Sequence, residues 1–256
     1  MGLLETLQSQ GRYSFTEADA REMLLRSDPA VSALLRRLKQ KGRIVAPRRG
    51  FYVIVTPEYS TAGAPPPTWY VDDLMHHLGQ PYYVGLLSAA AMHGATHQQP
   101  MRYQVLTDQP TRASTVGRSV IEFHVSTSIA ETPTRRLQTE TGTLLVSTRE
   151  ATALDLVRFV RASGGLGNVA TVLGELAEEI DPDQLAAFGS LRPSPDLQRL
   201  GYLLDAVGHT RLANPLLRLL SERRVRSVLL DAGGPRKGDA VRPWRVIPNE
   251  SVEVDE

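Results

Sequence analysis

Three consecutive prolines, Pro65-Pro66-Pro67, set the first limit on how this chain can fold. Proline lacks an amide hydrogen and has a locked φ, so a run of them ends a helix and cannot lie in a central strand. The surrounding stretch from Thr56 to Thr68 is small and polar, and reads as a semi-rigid linker between two parts. The expected division is residues 1–56, a linker at 57–67, and a larger part at 68–250. Prolines 193 and 195 suggest a subdivision near 191–196.

Charge divides in the same place. Residues 1–56 carry ten Lys and Arg against five Asp and Glu, whereas residues 57–256 carry nineteen against twenty-three. The overall balance of +1 therefore hides a basic module joined to an acidic one.

The first part reads as three short helices and a hairpin. Leu3, Leu4 and Leu7 form an apolar stripe, and a turn follows at Gln10 to Ser14. Thr16 opens the second helix, with Asp19 in the capping-box position that usually holds Glu or Gln. Ser27-Asp28-Pro29 stops that helix and starts a third, which runs to Gly42. Two β-rich stretches then flank a tight Pro47-Arg48-Arg49-Gly50 turn. This is the order of a winged helix-turn-helix, whose third helix reads DNA.

Within that helix Val31, Leu34, Leu35 and Leu38 repeat at i, i+3, i+4, i+7 and form one buried stripe. Ser32, Arg36 and Lys39 project from another side, and Arg43 extends that line. Between Val31 and Gly50 stand Arg36, Arg37, Lys39, Lys41, Arg43, Arg48 and Arg49, without one acid. The expected partner is anionic, and double-stranded operator DNA fits it: phosphate contacts release counterions, and an amphipathic helix enters the major groove. Ser32 and Arg36 are the candidates for base edges, and Arg48 and Arg49 for the backbone or minor groove.

The larger part mixes helices and strands, so the chain is expected to be α/β mixed (α+β). Val71 to Leu78 and Val84 to His93 read as helices, and Tyr103 to Thr107, Ser119 to Val125 and Gly142 to Ser147 as strands. Ser147 or Thr148 caps a helix carrying Ala151, Leu154, Leu156, Val157 and Val160. Helices over Asn168 to Ile180 and Leu203 to Glu222 follow, then a short strand pair near Val228 and Trp244.

Several chemical signals fail in this part. Gly165-Leu166-Gly167-Asn168-Val169-Ala170 has glycine spacing of a dinucleotide site but follows a helix, not a strand. His93 and His97 stand four apart, yet Gly94 lies between them and no acid follows His93. Ser88 lacks the second glycine of a nucleophile elbow, and Asp72 and Asp73 suit a helix start. Arg135 with Arg136, and Arg236 with Lys237, read as solvated loop pairs. The absence of cysteine excludes disulfides, thiol catalysis and iron–sulfur ligation. No catalytic residue, metal or cofactor is expected. No apolar run approaches eighteen residues and the amino end has no signal-peptide pattern, so a soluble cytoplasmic protein is expected.

The chain resembles the AbiEi family of antitoxins from type IV toxin–antitoxin systems. The likeness rests on Gly42-Arg43-Ile44-Val45 and Arg49-Gly50-Phe51-Tyr52-Val53, and on Tyr82-Tyr83-Val84-Gly85-Leu86-Leu87-Ser88-Ala89-Ala90 with His93-Gly94-Ala95-Thr96. It extends through Thr148-Arg149-Glu150-Ala151-Thr152-Ala153-Leu154-Asp155 and Trp244-Arg245-Val246-Ile247-Pro248-Asn249. The resemblance implies that the amino part represses its own promoter at inverted repeats, while the carboxy part counters an AbiEii-type nucleotidyltransferase toxin. Two other readings stay open on the residues alone: a stand-alone regulator or protein-interaction module that binds the toxin directly, and an enzyme acting on nucleic acid.

Overall fold

Local chemistry starts the amino-terminal elements where the sequence places them. The structure, a computed structural model, describes residues 2–25, 27–95 and 101–252. Helix α1 (Leu3–Ser9) is followed by a short strand β1 (Ser14–Thr16), helix α2 (Glu17–Leu24), helix α3 (Asp28–Gln40) and the hairpin β2 (Ile44–Arg48) and β3 (Phe51–Ile54). The capping box is present in its Asp form: the Asp19 amide donates to Thr16 Oγ1 at 3.1 Å, and Asp19 Oδ2 accepts from the Thr16 amide at 2.6 Å. Pro29 occupies the first turn of α3, where no amide donor is needed.

These elements close on one core. Leu3, Leu4, Leu7, Phe15, Ala20, Val31, Leu35, Ile44 and Ile54 are buried together, with Leu34 and Leu38 partly buried against them. The expected apolar stripe of α3 therefore faces this core. Strand β1, which was not expected, pairs antiparallel with β3, giving a sheet in the order β1-β3-β2. A bulge between Val45 and Arg48 accommodates Pro47, which cannot donate to the ladder.

Residues 57–67, expected as a linker, are ordered against the following sheet. Turns of 3-10 helix occupy Pro57–Tyr59 and Pro67–Trp69, and Ala64, Pro65 and Pro67 are buried. The Arg118 amide donates to the Ala62 carbonyl at 2.9 Å. Gly117 makes this approach sterically feasible: its φ is +59°, and a Cβ there would lie 2.3 Å from the Ala62 oxygen.

The remaining elements are α4 (Val71–Leu78), β4 (Tyr82–Val84), α5 (Leu86–Met92), β5 (Tyr103–Thr107), β6 (Ser114–Val116), β7 (Ser119–Val125), β8 (Thr134–Gln138) and β9 (Thr143–Ser147). Helices α6 (Arg149–Arg158), α7 (Gly165–Ala177), α8 (Pro182–Ser190), α9 (Ser194–Ala206) and α10 (Thr210–Ser221) follow, then β10 (Val228–Leu229) and β11 (Val246–Ile247). The expected mixed α/β class holds. A six-stranded mixed sheet runs in the order β6-β7-β5-β4-β9-β8.

Three expectations need correction. The helix expected from Val84 begins at Leu86, because Tyr82-Tyr83-Val84 are strand formers that pair with β5 and, through Val84, with β9. The helix expected over Leu203 to Glu222 is two, α9 and α10, broken around Gly208 at φ +85°. Arg135 and Arg136 lie on strand β8 rather than on a loop.

By contact density the chain forms two compact units. The first holds Met1–Val84, Met101–Ala130 and Arg136–Val146; the second holds Gly85–Pro100, Glu131–Arg135 and Ser147–Glu256. In the second, α6 is the central helix, with every residue from Glu150 to Val157 buried, and α5, α7, α8 and α9 pack around it.

Candidate nucleic-acid interface

The buried stripe of α3 fixes what its other side presents. Val31 and Leu35 anchor the helix, so Ser32, Arg36, Arg37, Lys39 and Gln40 are exposed, and Lys41 and Arg43 continue the exposed run beyond its end. Taking about 100° per residue, Ser32, Ala33, Lys39 and Gln40 fall within roughly 60° of Arg36. Ala33 and Gln40 were not singled out from the sequence, although the same helical wheel places them.

The nearby acids are held elsewhere. Arg21 bonds Glu17 at 2.8 Å and Asp28 at 3.2 Å, and Arg12 bonds Asp19 at 2.9 Å. Among the described residues no carboxylate lies within ion-pair distance of Arg36, Arg37, Lys39, Lys41, Arg43 or Arg49. An anion approaching α3 therefore meets cations that the protein itself does not neutralise.

Arg48 differs from its neighbour. Its guanidinium donates to the Arg112 carbonyl and, at 3.0 Å, to the Pro47 carbonyl, and it lies 5.5 Å from the centre of the Phe123 ring. The Pro47 carbonyl also accepts from Ser114 Oγ at 2.9 Å. Burial lowers the Arg48 pKa from the usual guanidinium value. The two hairpin-tip arginines, grouped together on sequence, thus part company: Arg49 is exposed and Arg48 is turned onto the sheet. The hairpin tip is further tied by His77, whose Nε2 lies 3.1 Å from the Arg49 carbonyl and whose ring packs 5.4 Å from Phe51.

The second-unit residues that looked chemical on sequence have identifiable structural places. Gly165 opens α7 after a turn from α6, with no strand before it. Ser88 is buried inside α5. His93 places Nε2 2.8 Å from the Ser147 carbonyl and Nδ1 3.0 Å from an Arg135 guanidinium nitrogen; His97 lies outside the described residues. Burial lowers the His93 pKa, and the Arg135 and Arg149 charges act the same way. In the first unit, Asp72 accepts from the Tyr82 hydroxyl at 2.5 Å and Asp73 from Ser14 Oγ. Among the described residues no three His, Asp or Glu side chains converge as a metal site, and no helix is long and apolar enough to cross a membrane.

The motifs behind the resemblance are also placed. Thr148 Oγ1 caps α6 by accepting from the Ala151 amide, and Asp155 is fully buried, 3.7 Å from Arg192. Arg192, 2% exposed at its side chain, also faces Asp196 at 3.9 Å. The Trp244 ring lies against Gly201, where any Cβ would come within 2.1 Å of it, and its Nε1 donates to Asp205 at 2.6 Å. Asn249 pins the loop after β10, accepting from the Asp231 amide and donating to the Asp231 and Pro235 carbonyls.

Comparison with known proteins bears on the middle of the chain. Residues 83–206 match the family model described as the AbiEi antitoxin C-terminal domain. The fold is similar to the crystal structure of the RV2827C protein from Mycobacterium tuberculosis, with a TM-score of 0.71 at 17% identity, over 96% of this chain and 89% of that one. No curated protein matches the sequence. Residues 83–206 thus belong to the family of AbiEi antitoxin C-terminal domains.

Proposed function

We propose that residues 1–56 form a winged helix-turn-helix that binds inverted repeats in the protein's own promoter and represses it, while the antitoxin domain counters a nucleotidyltransferase toxin encoded beside it. The observation that carries the DNA reading is the α3 surface: five exposed cations from Arg36 to Arg43, none with a carboxylate partner among the described residues. Arg36, Arg37 and Lys39 on the last turns of α3, with Lys41 and Arg43 just beyond its end, are spaced to meet several phosphates of a groove that the helix occupies.

Within this reading the roles separate by position. Ser32, Ala33 and Arg36, near the start of α3, face base edges; Arg36 offers a bidentate donor pair for guanine, and Ala33 an apolar contact for a thymine methyl. Arg37, Lys39, Lys41 and Arg43 neutralise phosphates, and Arg49 reaches the backbone from the hairpin. Arg48 positions the wing through Arg112 and Phe123 instead of touching DNA.

A promoter–reporter fusion tests the regulatory half: the intact chain is expected to lower expression, and Arg36→Ala with Lys39→Ala to relieve it at equal protein levels. Co-expression with the adjacent gene product tests the other half. The intact chain is expected to restore growth, and the α3 variant to do so equally, because antitoxicity belongs to the carboxy domain. Unrelieved repression in the variant contradicts the DNA reading; absence of a toxic neighbour contradicts the antitoxin pairing.

A further inference from the structure

A cavity of about 280 Å³ opens in the second unit between the end of α6, α9 and the loop after β10. Three of its lining residues are arginines, Arg158, Arg161 and Arg199, and one is an acid, Asp231. We propose that this arginine-lined cavity is a binding site for the phosphate group of a small ligand, of the class of pyrophosphate or a nucleoside triphosphate.

The arginines are positioned by the chain around them. Arg199 Nε donates to the Leu229 carbonyl at 2.9 Å, which fixes the guanidinium plane at the cavity wall. Its closest carboxylate, Asp196, lies at 3.9 Å, an ion-pair contact too long for a hydrogen bond. Arg161 lies across Gly233: a Cβ at that residue would stand 2.0 Å from its Nη2, so the guanidinium rests directly on the Gly233 backbone. Arg158 sits 5.5 Å from the centre of the Phe159 ring, a cation–π placement that orients the fork without occupying its donors.

The acid at the rim is already engaged. Asp231 Oδ1 accepts from the Gly233 amide at 2.9 Å, and the loop that carries it is held by Asn249. Among the described residues neither Arg158 nor Arg161 has a carboxylate within ion-pair distance. Two guanidinium groups thus face a concavity with unpaired donors, and a third is held at its wall. A phosphate group, with three or more acceptor oxygens against two on a carboxylate, can engage more than one planar guanidinium fork at once. The ligand is small because the arginines converge on one cavity of about 280 Å³ and do not follow an extended stripe.

Isothermal titration of the full chain with pyrophosphate and with ATP tests this, with Arg161→Gln as the site variant and Arg236→Gln as an exposed arginine outside the cavity. A non-operator duplex competes as the nucleic-acid source of phosphate. The expected result is binding to the intact chain and to Arg236→Gln, with affinity at least tenfold lower in Arg161→Gln at an unchanged unfolding temperature, and no displacement by the duplex. Absent binding, equal weakening in both variants, or displacement by the duplex would overturn the proposal. None of these outcomes bears on promoter repression, which rests on α3.

Discussion

Arg135 donates to Nδ1 of His93, and this one contact fixes the protonation state of the histidine. A guanidinium has no acceptor, so Nδ1 must carry a lone pair; Nε2 then carries the hydrogen and donates to the Ser147 carbonyl at 2.8 Å. The neutral ring is the folded form, in keeping with a pKa lowered by burial and by the Arg135 and Arg149 charges. The unfolded chain takes up a proton near pH 6.5 while the folded chain resists it. The stabilisation is complete above that value and is lost as pH falls below it toward the folded pKa. Urea unfolding at pH 7.5 and 5.5 is expected to show a larger fall for the intact chain than for His93→Gln, and equal falls would count against the assignment.

The hairpin tip supplies a contrast between neighbours. Arg48→Ala removes a cation–π contact and hydrogen bonds to two carbonyls, and is expected to destabilise the chain by about 1–3 kcal/mol. Arg49→Ala, at an exposed position, is expected to change stability by less than about 0.5 kcal/mol while weakening DNA binding. Chemical denaturation and DNA titration of the two single variants separate these effects.

Arg192 lies between Asp155 and Asp196, buried with both. Arg192→Met leaves two carboxylates in low dielectric without their shared cation, so a loss of about 3–5 kcal/mol is expected. Burial already raises the Asp196 pKa despite the opposing pull of Arg192, Arg158 and Arg199. Combining Arg192→Met with Asp155→Leu is expected to recover part of the loss. A single variant as stable as the parent would show that the pair is not energetically coupled.

Gly117→Ala tests whether residues 57–67 are docked. The substitution puts a side chain at φ +59° and into the Ala62 carbonyl, and is expected to lose more than about 1 kcal/mol and to increase proteolysis near residues 57–67. Parent-like resistance would fit a freely swinging segment.

How much of this was legible depends on the range of the interactions. The Thr16–Asp19 cap and the α3 stripe were readable because they are set within one or two helical turns. Strand β8 was not: Thr134 to Gln138 is almost wholly exposed and shows no alternation. Helix α8 was also passed over, although Asp181-Pro182 is a start signal and Asp181 accepts from the Asp183 and Gln184 amides. Arg48 and Arg49 are chemically identical on sequence. What separates them is Arg112 and Phe123, more than sixty residues away, and no local pattern reports such a contact. Arg199 of α9 is likewise brought to Arg158 and Arg161, about forty residues earlier in the chain, by the fold alone.

The central claim is that the exposed cations of α3 and of the turn after it lie along a duplex. Fluorescence anisotropy of the full chain on its promoter fragment, repeated across a salt series, tests it most directly with Arg36, Lys39 and Arg43 all changed to Ala. The expected result is weaker binding with a slope of log K against log salt shallower by roughly 2–3 units, and an unaltered unfolding curve. An unchanged affinity and salt slope in the folded triple variant would contradict the claim.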